Sequence, residues 1–166
     1  MTKLFSGLRT LILCPHTDDE FGCAGTISRL IESGSEIHYI AFSRCEASVP
    51  DGLPKGILEE ECRACLGSLG VDQENIQIWN FDVRHFPQHR QEILERMVVL
   101  NRNIRPELVL LPTSFDTHQD HSTIYSEGFR AFKSASILGY ELPQNTISFE
   151  NSAFIHLSAH QLERKI

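Results

Sequence analysis

The run Pro15-His16-Thr17-Asp18-Asp19-Glu20 packs an imidazole and three carboxyl groups directly behind apolar Leu11-Ile12-Leu13-Cys14. Close carboxylates repel, and each must be solvated, paired or bound to a cation. A divalent metal at the end of a strand satisfies that demand. The later run Asp116-Thr117-His118-Gln119-Asp120-His121 can supply a further ligand. His16, Asp19 and His121 together would make a three-ligand zinc site with one position left for water, the pattern of catalytic rather than structural zinc. Bound zinc lowers the pKa of water toward ~7. Asp18, beside a ligand, is then the expected general base. A protonated His118 is expected to stabilise an oxyanion and later protonate a leaving amine. Asp120 is expected to keep that imidazole protonated, and Glu20 to support the ligands from behind.

These residues need elements to hold them. Thr10 to Cys14 reads as a short buried strand. Glu20 to Ser33 reads as a helix, with Phe21, Ala24, Ile27, Leu30 and Ile31 at helical spacing and Gly34 closing it. Strands are predicted over Glu36–Phe42, Ile76–Asn80 and Leu108–Leu111. Helices are predicted over Ile57–Leu69, Gln91–Ile104 and Ser122–Lys133. Strand-helix alternation with continuous apolar strands implies a Rossmann-like, mostly parallel α/β sheet with helices on both faces. Ligands of such sheets bind outside the carboxyl ends of the strands. Both polar runs fall there, so they should meet. Read alone, Asp18, Asp19 and Glu20 are ordinary first-turn helix acids, and His118 and His121 are ordinary loop histidines. Their joint position favours the metal site.

The rest of the chain bounds the answer. Its 166 residues suggest one domain, 1–166. Net charge is −7 with no Lys/Arg cluster, which argues against nucleic acid as a partner. No apolar run approaches the ~20 residues of a membrane span, and no signal peptide is visible, so the expected compartment is cytoplasmic. An odd cysteine count of five does not suggest a disulfide framework. Cys62 and Cys65 form a CxxC in mid-helix, where buried core cysteines are expected rather than a redox pair. His38, His85, His89, His156 and His160 read as structural or solvated, and Trp79 as core or pocket wall. From Gly139 the pattern changes to short extended pieces, Thr146–Phe149 and Ala153–Leu157, expected to form a β-rich C-terminal extension. Leu162 to Ile166 looks like the opening of a helix, as in a truncated form.

Together the runs His16-Thr17-Asp18-Asp19-Glu20 and His118-Gln119-Asp120-His121 resemble the two motifs of the PIG-L/LmbE-like zinc-dependent N-deacetylases. Gly22, Gly70-Val71 and Arg105-Pro106-Glu107 extend the resemblance over nearly the whole chain. It implies zinc ligands His16, Asp19 and His121, Asp18 as base and His118 near the oxyanion. It also implies hydrolysis of an acetamide on an amino sugar to give acetate and a free amine. Thr17 stands where the family usually has proline. Leu58 stands where sugar-linked members often have arginine, and Arg44 or Arg84 are the candidate replacements for that substrate contact. The expected partner is a small N-acyl compound, with self-association into a homo-oligomer left open. Two other readings stay open: a metal-dependent amidase for a non-sugar N-acyl compound, and a non-catalytic metal-binding or assembly module. The carboxylate-rich first turn argues against a Rossmann nucleotide site, because it lacks Gly-x-Gly-x-x-Gly and would repel a pyrophosphate.

Overall fold

The computed structural model describes residues 6–148, 150 and 152–165. Five strands are connected by helices: β1 (Arg9–Cys14), α1 (Glu20–Glu32), β2 (Glu36–Ala41), α2 (Ile57–Leu69), β3 (Ile76–Ile78), α3 (Phe86–Ile104), β4 (Leu108–Pro112), α4 (Gln119–Ala131), β5 (Ser136–Tyr140) and α5 (Ala159–Lys165). The sheet is parallel throughout, in the order β3-β2-β1-β4-β5. No described helix is long and apolar enough to cross a membrane.

The apolar strands are continuous because both faces are covered. In β1, Ile12 and Cys14 join the core under α1 and α2, whereas Leu11 and Leu13 join the core under α3 and α4. The same alternation runs through β4, with Leu108 and Leu110 on the first face and Val109 and Leu111 on the second. β1 and β4 are direct neighbours, with Thr10, Leu11 and Ile12 opposite Leu108, Val109 and Leu110. Their carboxyl ends therefore deliver residues 15–19 and 113–118 to the same edge.

Several boundaries differ from the sequence reading. α3 begins at Phe86, five residues before the expected Gln91, because Pro87 falls in the first turn, where a missing N–H costs nothing. α4 begins at Gln119 rather than Ser122, so Asp120 and His121 lie on a helix and not in a loop. β5 is not predicted by the sequence pattern; it is a five-residue edge strand in which Ile137 and Leu138 are only partly buried and Ser136 and Gly139 are exposed. The β-rich C-terminal extension does not form among the described residues. Thr146 makes a single antiparallel bridge to Asp116, and 153–157 run without strand pairing. Phe149, the end of the first expected piece, lies outside the described residues. The expected helix opening near Leu162 is part of α5, which packs on α1, with Gln161 Nε2 2.5 Å from Glu32 Oε2. Ile166 lies outside the described residues.

Leu13 is fully buried between the sheet and α4, whereas Val99 on α3 is half exposed. Leu13→Ala should lower the unfolding free energy by about 2–5 kcal/mol in a urea titration, and Val99→Ala by less than about 0.5 kcal/mol.

Candidate metal centre

The backbone brings His16 to the end of β1, just past Pro15, whose carbonyl accepts the Ser43 N–H at 3.1 Å. Asp19 occupies the N-cap position of α1 but makes no side-chain capping bond there. Its Oδ2 instead accepts the His16 N–H at 2.8 Å. That turns the carboxylate toward the His16 ring rather than toward the helix. His121, on the first turn of α4, points back from the other side.

Three donor atoms converge. His16 Nδ1 lies 3.1 Å from His121 Nε2, and Asp19 Oδ2 lies 3.4 Å from each of them. All three residues are buried. A tetrahedral zinc with ligand bonds near 2.0–2.2 Å spaces its donors by roughly 3.3–3.5 Å, so the triangle has the right size for one divalent ion. Two imidazole nitrogens facing each other across 3.1 Å also need a cation or a shared proton between them. Two wider groupings hold ligand atoms within 4.8 Å of one another: His16 with His118 and His121, and His16 with Asp18 and Asp19. The His118 ring is already engaged, because its Nδ1 accepts the Asp120 N–H at 3.2 Å and caps α4. Asp18 is exposed beside the triangle.

A second layer orients these donors. Asp116 Oδ2 sits 2.8 Å from His121 Nδ1, in ion-pair range, although the two atoms are not aligned as a directional hydrogen bond. Asp116 Oδ1 accepts the His118 N–H at 2.9 Å. Asp116 had no assigned role in the sequence reading. Its only signal was its position two residues before His118. Asp120 is fully buried and corrects a second expectation. Its carboxylate does not face the His118 ring. Oδ2 lies 3.0 Å from His16 Nε2 and accepts the Arg84 N–H at 2.5 Å, while Oδ1 accepts the Phe86 N–H at 3.1 Å. The physical reason is the cap: the Asp120 amide, not its carboxylate, reaches His118.

Charge follows this geometry. Burial pushes the Asp19 carboxyl up to about 6, with His121 and His16 pulling the other way. Burial works against a charged His121, but Asp116 and Asp19 outweigh it and raise the ring's pKa. Burial would also raise Asp120, yet bonds from His16 and the Arg84 and Phe86 amides outweigh it and lower its pKa. His118 is pushed down by burial and by the imidazoles of His121 and His16. That shift, and an Nδ1 that accepts the Asp120 amide, favour a neutral ring over the expected protonated one.

Glu20 does not support the ligands. Its Oε2 accepts from Tyr39 Oη at 3.2 Å and lies 3.9 Å from Cys62 Sγ, in the core between α1, β2 and α2. Cys62 is buried and Cys65 partly so, both as free thiols. Neither expected arginine presents its guanidinium to the donors. Arg44 Nε pairs with Glu59 Oε2 on α2 at 3.2 Å. Arg84 reaches Ser48 Oγ at 3.3 Å, and it is its backbone amide, in a left-handed conformation (φ 73°), that enters the site. Trp79 packs on Phe42 at the margin of the core under α3 and α4, with ring centroids 4.9 Å apart.

The family model for PIG-L, described as GlcNAc-PI de-N-acetylase, matches residues 11–132, from β1 through α4. The chain belongs to the PIG-L family. It is 31% identical over 137 residues to the diacetylchitobiose deacetylase of Thermococcus kodakarensis, covering 77% of this chain and 50% of that one. The chain thus spans about half the length of this curated relative. Among solved structures, a conserved protein from Thermus thermophilus superposes with a TM-score of 0.73 at 23% identity, over 95% of this chain and 75% of that chain. The N,N'-diacetylchitobiose deacetylase from Pyrococcus horikoshii superposes with a TM-score of 0.77 at 18% identity, over 95% and 68%. These two superpositions show the shared fold. The PIG-L match spans both polar runs and all three donors.

Burial pushes the Glu20 carboxyl up to about 7, with Tyr39 and Cys65 only partly offsetting it. The folded state therefore holds a proton that the unfolded chain releases near pH 4.5. The associated stability is fully present below that pH and is lost as pH rises through about 7. In metal-free protein, Glu20→Gln should exceed the parent by less than about 1 kcal/mol at about pH 5 and by about 3 kcal/mol at about pH 8. Urea melts at the two pH values check this; an unchanged difference between them would count against it.

Proposed function

We propose that this PIG-L family protein is a zinc-dependent hydrolase that removes an N-acetyl group from an amino sugar or its conjugate. The observation that carries the reading is the convergence of His16 Nδ1, Asp19 Oδ2 and His121 Nε2 within 3.4 Å, with Asp18 exposed beside them. These three residues would hold the metal. When bound, zinc polarises the amide carbonyl and makes water a better nucleophile near neutral pH.

The protein's own groups do the rest. Asp18 accepts the proton of the attacking water and then returns it to the leaving nitrogen. A neutral His118, with Nδ1 accepting from the Asp120 amide, carries its hydrogen on Nε2 and donates a hydrogen bond from it to the oxygen that gains charge, keeping the proton. Asp116 and Asp120 hold His121 and His16 in the orientation that presents the correct nitrogen. The acetamide substrate class is supported by the family description and by the name of the Thermococcus relative. A second reading, a non-sugar N-acyl substrate, is favoured by one feature: Leu58, on α2, is apolar, and Arg44 is committed to Glu59.

Purified protein loaded with zinc should release amine from N-acetylglucosamine or N,N'-diacetylchitobiose and lose that activity with a chelator. Amine release only from non-sugar N-acyl compounds selects the second reading. Full activity without metal, or bound zinc with no amide hydrolysed, would sink the proposal. Asp18→Ala should lower kcat by about 10²–10⁴-fold while zinc stays bound, as expected for loss of a general base. His121→Ala should instead lose the metal, which metal analysis after dialysis detects.

A further inference from the structure

We propose that buried Glu127 and its two arginines act as a clamp that positions the metal-binding His16 through the first turn of α3 and Asp120. The inference rests on the reading of His16 as a metal ligand.

Glu127 lies on α4 and has no exposure to solvent. Its Oε1 receives Arg90 Nε at 2.8 Å and Nη2 at 2.6 Å, from the second turn of α3. Its Oε2 receives Arg130 Nη1 from α4 itself. The two arginine side chains remain half exposed. A buried carboxylate is costly, and an apolar pair of similar volume commonly holds two helices equally well. What a guanidinium fork adds is direction, because its planar donors accept a carboxylate in few orientations. It therefore sets how far α3 is advanced along α4 and how it is rotated.

That setting matters at the helix starts. α3 and α4 run side by side in the same direction, tied at three levels. At the top, Phe86 and Arg84 donate their amides to Asp120. In the middle, Arg90 meets Glu127. At the bottom, Asn101 Nδ2 donates to the Ala131 carbonyl at 2.9 Å. Advancing a helix by one residue moves it about 1.5 Å, more than a hydrogen bond tolerates. A loosened α3 would leave the Asp120 carboxylate without its amide donors, and Asp120 is what holds His16 Nε2. Glu127 touches no ligand and no reacting atom, so it is a positioning residue.

Cobalt(II) is a suitable probe, because its visible absorption reports ligand geometry. Arg90→Met should weaken cobalt binding by about 10–100-fold, as loss of an orienting group typically does. It should also lower the thermal midpoint, because Glu127 loses a partner. The double variant Arg90→Met/Glu127→Leu removes the buried charge. It should regain most of the thermal midpoint while keeping the weak cobalt binding and an altered spectrum. If the double variant recovers both stability and parental cobalt affinity and spectrum, the pair only holds the helices together and this inference is overturned. If the parent protein takes up no cobalt, the metal-centre reading fails, and this inference falls with it.

Discussion

The parallel pairing of β1 with β4 is the constraint on which the site depends. Leu11 lies opposite Val109 and Ile12 opposite Leu110 in the centre of the sheet, where both strands are buried on both faces. A slip of one residue would turn every apolar side chain to the wrong helix layer. Register is thus held by packing energy far from any polar group. It delivers Cys14 and Pro112, and the turns after them, to one edge. The polar residues do not find each other; the apolar strands bring them together.

Asp120 then works as a hub. One buried carboxylate collects His16 from the β1 turn and the Arg84 and Phe86 amides from the start of α3. Asp116 splits its two oxygens between the His121 ring and the His118 backbone. Each ring of the donor pair is thereby held from behind by a carboxylate. A bare site of two histidines and an aspartate would let those rings rotate, and a metal would have to order them on arrival.

Much of this was legible in the chain. Continuous apolar runs such as Leu108-Val109-Leu110-Leu111 announce buried parallel strands, and the fold class followed from their alternation with helices. That His16, Asp19 and His121 should meet was readable because carboxylates and imidazoles crowd where packing has no use for them. What was not legible has identifiable causes. Pro87 looks like a breaker, yet it sits in the one helical turn that accepts it. β5 is an edge strand, Ser136-Ile137-Leu138-Gly139-Tyr140, whose weak apolar signal reflects its single partner. The partner of Asp120 could not be read, because spacing along a helix does not say which of two nearby imidazoles a carboxylate faces. Glu20 hides its role for the opposite reason: it belongs to an acidic run by position but to the Tyr39 and Cys62 core by direction.

Position 84 shows how a site can hide from its own side chains. The group that enters the centre is the Arg84 amide, bent into a left-handed conformation, while its guanidinium is occupied at Ser48. The chemistry there is indifferent to nearly any side chain, since every residue but one carries that N–H. Glycine would even adopt the bend more easily. Proline alone would remove the donor and forbid the angle together. The importance of this position is recorded in the path of the backbone and not in the alphabet of the chain.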